Sequence, residues 1–476
     1  MFVQQFFVPG LAHSSYLLAC AKSCAIIDPR RDVGIYLDAA RERGVRITHV
    51  LETHLHADFV SGHMDLAAAT GAVIVAPKAG KSAFPHQAVA QGDTFRIEGM
   101  KLSVLEVPGH TPEHIAYVVT DTVRGDEPVA VFCGDALFVG DVGRPDLFPG
   151  LAAKLASQLY DSLHKRLMKL PDGCMVYPAH GAGSLCGRSM GAMRTSTIGY
   201  ERRFNAALQI RDRRAFIASL TTNMPPAPDH FSRCSAINGK GPTRLDRLPE
   251  MLPLAPAAFA AQAGRRTTVV LDIRSYAEFG GLHVPGAVHL DIAGNFATFA
   301  GWVLPPGRDI LLVASDAGQA TLARDWLRRV GLDRVTGYLE GGLVAWAKAG
   351  LPTGRVAQWS AEQLQARLGA SGGEPLQLVD VRSPHEYGAN HIKGAINIPA
   401  PQLRTAWTEL DPKRPTALIC STGNRSSLGC SLLARQGFRD LYNVAGGMTG
   451  YSAAGFSGEC PLCITPHGPR FLGGGK

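Results

Sequence analysis

The sequence predicts an α/β protein built from several domains, and three observations support this class. The chain has 476 residues, which is long for a single hydrophobic core. Residues 1–200 alternate short apolar strands with turns and helical stretches. The second half contains an internal repeat in which strands alternate with helical patterns, as they do in parallel α/β domains.

Composition excludes several classes of protein. The chain is 46% hydrophobic and 18% charged, with a formal net charge of +8, and its basic residues do not cluster with aromatic ones. We therefore expect no nucleic-acid partner. No apolar run reaches the roughly 18 residues of a membrane span, so we expect no membrane partner either. The N-terminal stretch lacks the features of a signal peptide, and ten irregularly spaced cysteines do not indicate a disulfide scaffold. We expect a cytoplasmic protein.

Several apolar strands in the first part of the chain end in residues that bind metals. The strand patterns include ITHVLETH, LSVLEVPGH, VAVFCGD and CMVYPAHG. His54 and His56 close the first of these, at a spacing that places alternate strand residues on one side. His110, Asp135 and His180 close the other three. One such histidine is more often a satisfied core residue, but five residues in this arrangement predict a metal site.

The run THLHAD…VPGHTPEH…FCGDALF…YPAHG resembles the metallo-β-lactamase superfamily over residues 1 to about 200. The resemblance implies an αββα sandwich with the metal at one edge of two packed sheets. Dinuclear hydrolases of that family, such as glyoxalase II, carry H-x-H-x-D-H, whereas this chain has Phe59 in the last position. Because phenylalanine has no lone pair to donate, we predict a site for one metal.

The TH-x-HAD and GRxD elements are similar to those of the persulfide dioxygenases, a mononuclear branch of the superfamily. This resemblance implies one Fe(2+) per chain, held by His54, His110 and Asp135. Two histidines and a carboxylate suit non-haem iron and O2, although zinc accepts the same ligands. Three further polar residues would orient the ligands or bind water: His56, Asp58 and His180.

The roles of two further residues stay open at the level of the sequence. Arg144, in FVGDVGRPDL, either binds the carboxylate of a thiol carrier through its planar fork or holds its own loop in place. Cys186 follows His180 by six residues, and spacing alone does not show whether it reaches the metal pocket.

Residues 269–291 repeat as residues 376–399, about 107 residues later. The matched positions are Asp272, Arg274, Glu278, His283, Pro285, Gly286 and Ala287 with Asp380, Arg382, Glu386, His391, Lys393, Gly394 and Ala395. They are identical except for the proline, which Lys393 replaces. A repeat of this length predicts two tandem domains of one parallel α/β fold.

Cys420 follows the strand pattern TALIC and precedes a helical stretch. Backbone N–H groups and the helix N-terminus at such a position favour the thiolate. Together with DVRSPHEY and NVAGGMTGY, the stretch resembles a rhodanese domain, which implies that Cys420 is the sulfurtransferase nucleophile. The rest of the loop would bind the persulfide or an anion: Ser421, Thr422, Gly423, Asn424 and Arg425. The alternative is a buried, inert cysteine.

The first copy has Ala314 opposite Cys420 and Gln319 opposite Arg425. It has no nucleophile, so we expect a rhodanese-like domain without catalysis. The tail residues Cys460, Cys463 and His467 give a weak metal signal, and a tail that carries thiols is the other interpretation.

The predicted organisation has four segments. They are a metallo-β-lactamase-fold persulfide dioxygenase domain with a helical extension (1–250), a non-catalytic rhodanese-like domain (251–356), a catalytic rhodanese domain (357–458) and a tail (459–476). The whole resembles the persulfide dioxygenase–sulfurtransferase fusions of sulfide detoxification.

The resemblance implies oxidation of a small thiol persulfide, of the glutathione or coenzyme A type, by O2 to sulfite and thiol. It also implies sulfur exchange with thiosulfate at the rhodanese domain. A zinc glyoxalase II-like thioester hydrolase with attached sulfurtransferase domains is the rival hypothesis, and a redox-sensing scaffold is a third. A homo-oligomer is compatible with the sequence.

Overall fold

The computed structural model describes residues 1–188, 190–222, 224–370 and 375–456. The chain divides into two compact units, residues 1–248 with 325–332 and residues 249–324 with 333–476. Within the described ranges, no helix is both long enough and apolar enough to cross a lipid bilayer. Cys460, Cys463 and His467 lie outside the described residues.

A six-stranded sheet opens the first unit. Its strands are β1 (Phe2–Val8), β2 (His13–Ala19), β3 (Ser23–Ile27), β4 (Arg46–Leu51), β5 (Val73–Pro77) and β6 (Gln87–Val89). They lie in the order β1-β2-β3-β4-β5-β6, antiparallel from β1 to β3 and parallel from β3 to β6. Helices α1 (Gly34–Glu42) and α2 (His63–Thr70) follow β3 and β4.

The second sheet also has six strands. They are β7 (Thr94–Ile97), β8 (Met100–Glu106), β9 (Ile115–Asp121), β10 (Pro128–Gly134), β11 (Met175–Pro178) and β12 (Ser196–Thr197), in the order β12-β11-β10-β9-β8-β7. Only the β10/β11 pair is parallel. The helices of this half are α3 (Ala152–Asp161), α4 (Ile198–Phe204), α5 (Ala206–Gln209), α6 (Arg213–Thr221) and α7 (His230–Lys240).

The two sheets pack face to face, and helices cover their outer faces. Tyr16 and Leu18 of β2 belong to the core between the sheets, together with residues of β8, β9 and β10. Leu17 and Ala19, which alternate with them, pack on the α1 side. The outer face of the second sheet is covered by α3 and α6. The predicted αββα sandwich is confirmed.

The first repeat copy forms a five-stranded parallel sheet in the order β13-β17-β16-β14-β15. Its strands are β13 (Leu252–Leu254), β14 (Thr268–Asp272), β15 (Val288–His289), β16 (Asp309–Val313) and β17 (Val335–Leu339). Its helices are α8 (Pro256–Ala263), α9 (Tyr276–Gly281), α10 (Phe296–Val303), α11 (Ala317–Arg329) and α12 (Gly342–Lys348).

The second copy repeats this topology in the order β18-β22-β21-β19-β20, again all parallel. Its strands are β18 (Ala357–Trp359), β19 (Gln377–Asp380), β20 (Ile396–Asn397), β21 (Thr416–Ile419) and β22 (Leu441–Val444). Its helices are α13 (Ala361–Gly369), α14 (Pro384–Ala389), α15 (Leu403–Ala406), α16 (Asn424–Ala434) and α17 (Gly447–Ala453). The prediction of two parallel α/β domains of one fold is confirmed.

Candidate functional site

Loops that follow β4, β8 and β10 bring three predicted ligands together in the first unit. His54, His110 and Asp135 are at most 1% exposed. Asp135 Oδ2 lies 3.9 Å from His54 Nε2 and 3.4 Å from His110 Nε2. These three atoms have no hydrogen-bond partner among the described residues. Since unpartnered buried polar atoms are costly, three that converge on one point fit a metal ion.

The opposite nitrogen of each histidine is fixed by a hydrogen bond. His110 Nδ1 donates to the carbonyl oxygen of Arg144 at 2.9 Å, so the lone pair of the neutral ring is on Nε2. The Thr53 hydroxyl donates to the Asp28 carboxylate and therefore accepts from His54 Nδ1 at 2.9 Å. Burial lowers the pKa of His54 and of His110, which keeps both rings neutral. Neutral imidazole is the form that binds metals.

The third ligand is held as a carboxylate. Burial alone would raise the pKa of Asp135, but its histidine neighbours, His180 first, lower it below its ordinary value. His180 Nδ1 donates to Asp135 Oδ1 at 2.7 Å, and His180 Nε2 donates to Asp58 Oδ2 at 2.8 Å. Burial opposes protonation of His180, yet the two carboxylates raise its pKa well above the ordinary value. His180 thus bridges the carboxylates of Asp58 and Asp135, and it leaves Asp135 Oδ2 available to a metal.

His56 occupies a different place from His54. Both histidines lie beyond the end of β4, so strand alternation does not align them as the H-x-H spacing predicted. His56 Nε2 lies 3.0 Å from Asp28 Oδ1 and 3.8 Å from Glu52 Oε2. These two carboxylates, counteracting burial, raise the pKa of His56. His56 belongs to a separate buried cluster with Asp28 and Glu52.

Phe59 is fully buried in this region. Its ring centroid lies 4.4 Å from that of His56 and 3.9 Å from that of His13. Aromatic packing therefore fills the position at which the dinuclear family pattern has a histidine. A further set of possible donor atoms lies close by, within 4.8 Å of one another: Asp58, His180 and Cys186. Cys186 is thus near the pocket, and burial raises its pKa well above the ordinary value.

Arg144 is 1% exposed, and protein groups occupy its guanidinium. Nε and Nη2 each donate to a carboxylate oxygen of Asp146 at 2.7 Å, and Nη1 and Nη2 also donate to the carbonyl oxygens of Leu185 and Pro225. This geometry favours the interpretation in which Arg144 holds its own loop. It gives no support to a substrate-binding role.

Two histidines at the site were missed by sequence reasoning. His114 Nε2 accepts the backbone N–H of Asp135 at 2.9 Å, and its ring stacks on that of His54 with centroids 4.5 Å apart. His13 is fully buried between Phe59 and His180, and neither ring nitrogen has a hydrogen-bond partner among the described residues. The sequence offered one clue to His114, which lies four residues after His110 in VPGHTPEH, but no local pattern pointed to His13.

In the second unit, Cys420 directly follows β21 and precedes the loop that leads into α16. Its Sγ accepts hydrogen bonds from the backbone N–H of Gly423 at 3.1 Å and from the Ser426 hydroxyl at 3.3 Å. The cysteine is 1% exposed, whereas Ser421 and Thr422 are half-buried. Donors that face the sulfur stabilise a thiolate or a persulfide anion.

The backbone of Gly447 packs closely against the carbonyl oxygen of Cys420. Gly447 has φ of 54°, and a Cβ at this position would lie 2.2 Å from the Cys420 carbonyl oxygen. That oxygen accepts the N–H of Met448 at 2.7 Å, and Thr449 donates to the carbonyl oxygen of Ser421. Gly447, the second glycine in NVAGGMTGY, is therefore required by close approach as well as by backbone conformation, whereas Gly446 is favoured by its φ of 74° alone.

Arg425 is paired with a carboxylate. Its Nη1 and Nη2 each lie 2.7 Å from an oxygen of Glu386, and Nη2 also donates to Ser421 Oγ at 2.7 Å. Although burial acts in the opposite direction, Arg425 and Ser383 hold the pKa of Glu386 at about 2. Arg425 thus ties the cysteine loop to α14, and Glu386 balances the positive charge that the sequence placed beside the thiol.

The first copy has the same framework without the cysteine. Ala314 follows β16 where Cys420 follows β21, and Gln319 Oε1 accepts the N–H of Ser315. This copy also approaches the Cys420 loop, because a methyl group added to Gly423 would lie 3.1 Å from the Tyr276 ring. The Tyr276 ring therefore packs beside Gly423, whose N–H donates to Cys420 Sγ.

Three regions of the chain match known protein families. Residues 8–180 match the Metallo-beta-lactamase superfamily, and residues 255–349 and 360–454 each match the Rhodanese-like domain. A solved metallo-beta-lactamase from Staphylococcus aureus subsp. aureus COL has a TM-score of 0.64 and 34% identity, and the match covers 71% of this chain and 98% of that one.

The curated relatives include proteins of two activities. The Hydroxyacylglutathione hydrolase of Rhodospirillum rubrum is 38% identical over 35% of this chain and 60% of its own length. The "Persulfide dioxygenase ETHE1, mitochondrial" of Mus musculus is 29% identical over 44% of this chain and 76% of its own length. The chain spans 56% to 60% of the first three hydrolases that it matches. The chain belongs to the metallo-β-lactamase superfamily, and its metallo-β-lactamase domain is followed by two rhodanese-like domains.

Proposed function

We propose that the first unit is an Fe(2+)-dependent persulfide dioxygenase and that Cys420 is the nucleophile of a coupled sulfurtransferase. The observation that carries the first part is the convergence of three unpartnered buried atoms, His54 Nε2, His110 Nε2 and Asp135 Oδ2. They supply two nitrogens and one carboxylate oxygen, a set that suits non-haem iron and O2. His56 stays with its own carboxylates, which favours one metal over two.

The overall reaction is R-SSH + O2 + H2O → R-SH + sulfite + 2 H⁺, and bound iron would supply the activation of O2. The protein residues hold that centre in place. His110 and His54 are fixed in one tautomer by the Arg144 carbonyl oxygen and by Thr53. His180, protonated between Asp58 and Asp135, fixes the ligand carboxylate. Together these contacts orient the ligands before the metal binds.

At the second site, the Cys420 thiolate attacks the outer sulfur of thiosulfate, forms a cysteine persulfide and releases sulfite. A thiol R-SH then takes that sulfur as R-SSH and regenerates the thiolate. Gly423 N–H and the Ser426 hydroxyl face the sulfur throughout this exchange. Fused domains keep the persulfide at a high effective concentration near the dioxygenase unit.

A zinc thioester hydrolase of the hydroxyacylglutathione type is the second candidate, and one observation favours it. Asp58, His180 and Cys186 offer a second set of donors next to Asp135. Binding of two metals would need His180 to give up its bridge between Asp58 and Asp135. Under the dioxygenase proposal, that bridge stays intact.

The test is metal analysis of anaerobically purified protein, with O2 uptake on glutathione persulfide and hydrolysis of S-lactoylglutathione measured in parallel. We expect one iron per chain and O2 uptake. His54→Ala should lose both, whereas His49→Gln, a half-buried histidine on β4, should keep both. Two zinc ions per chain with thioester hydrolysis would refute the proposal in favour of the hydrolase.

A further inference from the structure

The first rhodanese-like copy contains a cavity of about 530 Å³ that neither proposed site uses. It lies at the N-terminal ends of β14 and β16, where Thr268 opens one strand and Arg308 directly precedes the other. Ala314, at the position of the absent nucleophile, follows the opposite end of β16. The cavity is therefore at the sheet edge away from the position at which the second copy has its cysteine.

Four arginines surround this cavity: Arg265, Arg266, Arg308 and Arg435. Among the described residues that line it there is no aspartate or glutamate. The described ion pairs include none of the four, and the side-chain hydrogen bond of Arg435 goes to the carbonyl oxygen of Gly286 at 2.6 Å. Burial lowers the pKa of Arg435, and so does the charge of Arg308. All four side chains are solvent-exposed, and together they give the cavity a cationic rim.

The floor of the cavity is apolar. Val269, Val270, Val284 and Trp346 line it and are each at most 6% exposed. The indole N–H of Trp346 is already donated to the carbonyl oxygen of Pro352, so it adds no unpaired polar group to the floor. An apolar floor below a cationic rim fits a ligand with a flat apolar body and several negative charges.

Helix stabilisation explains only part of this arrangement. Arg265 and Arg266 follow the C-terminus of α8, where cations interact favourably with the helix dipole. Arg308 precedes a strand, and Arg435 comes from the end of α16 in the second copy. Both lie beside Arg265 and Arg266 on the same cavity, where four guanidinium groups could contact one polyanion.

We propose that this cavity binds a nucleoside diphosphate group, either free or as part of a larger cofactor. The guanidinium forks would take the phosphate oxygens in paired hydrogen bonds, and the base would pack on the valines and Trp346. The cavity volume lies within the roughly 300–1,000 Å³ of small-molecule sites. The inference goes beyond the proposed function, because no metal ligand and no residue of the Cys420 loop takes part in it.

The experiment is isothermal titration calorimetry of the full chain with ADP, inorganic pyrophosphate and thiosulfate. We expect ADP to bind at one per chain, and more tightly than pyrophosphate because pyrophosphate has no base to pack on the floor. Arg266→Ala/Arg308→Ala should weaken ADP binding at least about tenfold, since each substitution removes charged hydrogen bonds to the phosphate oxygens. Arg355→Ala removes an exposed arginine outside the cavity and should leave binding unchanged.

Sulfur transfer from thiosulfate serves as the folding control, since it depends on the second unit but not on these arginines. The Arg266→Gln/Arg308→Gln variant keeps most of the side-chain volume and should show the same loss of ADP binding. The proposal is overturned by the absence of ADP binding at about 1 mM. Binding that the variants do not weaken would overturn it as well, and so would thiosulfate or pyrophosphate binding as tightly as ADP.

Discussion

Glu386→Gln removes the negative charge that pairs with Arg425 beside the Cys420 loop. In the wild-type protein this carboxylate binds both Nη atoms of Arg425 at 2.7 Å and accepts the Ser421 hydroxyl at 3.1 Å. Glutamine at this position still completes the capping box with Ser383 at the start of α14. The substitution therefore tests the ion pair rather than the helix cap.

The magnitude follows from the pKa of Glu386, which falls from 4.5 to about 2. For a fully buried pair this difference corresponds to about 3 kcal/mol. The Glu386 side chain is 34% exposed, so solvent screening reduces the contribution to about 1–2 kcal/mol. We expect a loss of this size near pH 7, with a fall in Tm of the second unit by about 3–6 °C.

The pH dependence has a definite sign. Because folding lowers the pKa of Glu386, the stabilisation is fully present above the unfolded value of 4.5 and is lost as the pH falls towards about 2. The difference in Tm between wild type and variant should therefore be constant above about pH 5 and shrink below it. Free Arg425 no longer fixes Ser421, so sulfur transfer from thiosulfate should slow by about tenfold.

The first copy offers a matched control in Glu278→Gln. Glu278 completes the same capping box with Ser275, but Gln319 stands where the second copy has Arg425. This variant should change the free energy of unfolding by no more than about 0.5 kcal/mol. Calorimetry from about pH 7 to pH 3 on both variants makes the comparison. Equal losses in both, or a difference that does not change with pH, would refute the reasoning.

Three further predictions concern the same site. Cys420→Ser should abolish thiosulfate sulfur transfer while O2 uptake on added glutathione persulfide persists; residual transfer would identify another nucleophile. Tyr276→Ala removes the ring beside Gly423 and should raise the kcat/KM of bulky acceptor thiols relative to that of small ones, whereas Tyr276→Phe should keep the wild-type ratio. Gly447→Ala should cost about 2–5 kcal/mol, from the clash with the Cys420 carbonyl oxygen and from its positive φ. Gly394→Ala, at φ of 84° with open space around it, should cost only the conformational part, and equal costs would contradict the steric argument.

Much of the fold was predictable because its signals are local. Apolar strands with turn residues at their ends recur along the first 200 residues, and the repeat shows directly that one α/β fold occurs twice. The positions of His54, His110 and Asp135 after apolar strands were visible in the sequence, but the family resemblance chose them as one ligand set. They follow β4 in one sheet and β8 and β10 in the other, so no pattern within one sheet predicts that they meet. Their role as iron ligands stays a prediction.

Other parts of the candidate site depend on contacts that spacing does not encode. His13 lies at the start of β2, and only the approach of Phe59 and His180 makes it part of the pocket. The sequence left two roles open for Arg144, and its partners Asp146 and Pro225 favour the structural one. A side chain that bonds across 81 residues leaves no short-range pattern to detect.

The two copies show that the rhodanese-like framework forms with or without a cysteine at the position of Cys420. Asp272 pairs with Arg274 in the first copy as Asp380 pairs with Arg382 in the second, with closest distances of 2.6 Å in both. Neither pair involves the residue that follows β16 or β21, so Ala314 leaves the fold of the first copy intact. Both copies have a Ser–Glu capping box, but among the described residues only the glutamate of the second box binds an arginine, Arg425, which also contacts Ser421 in the Cys420 loop. The pairing of Arg425 with Glu386 therefore links a capping box that both copies share to the Cys420 loop, where the sulfur transfer is proposed to take place.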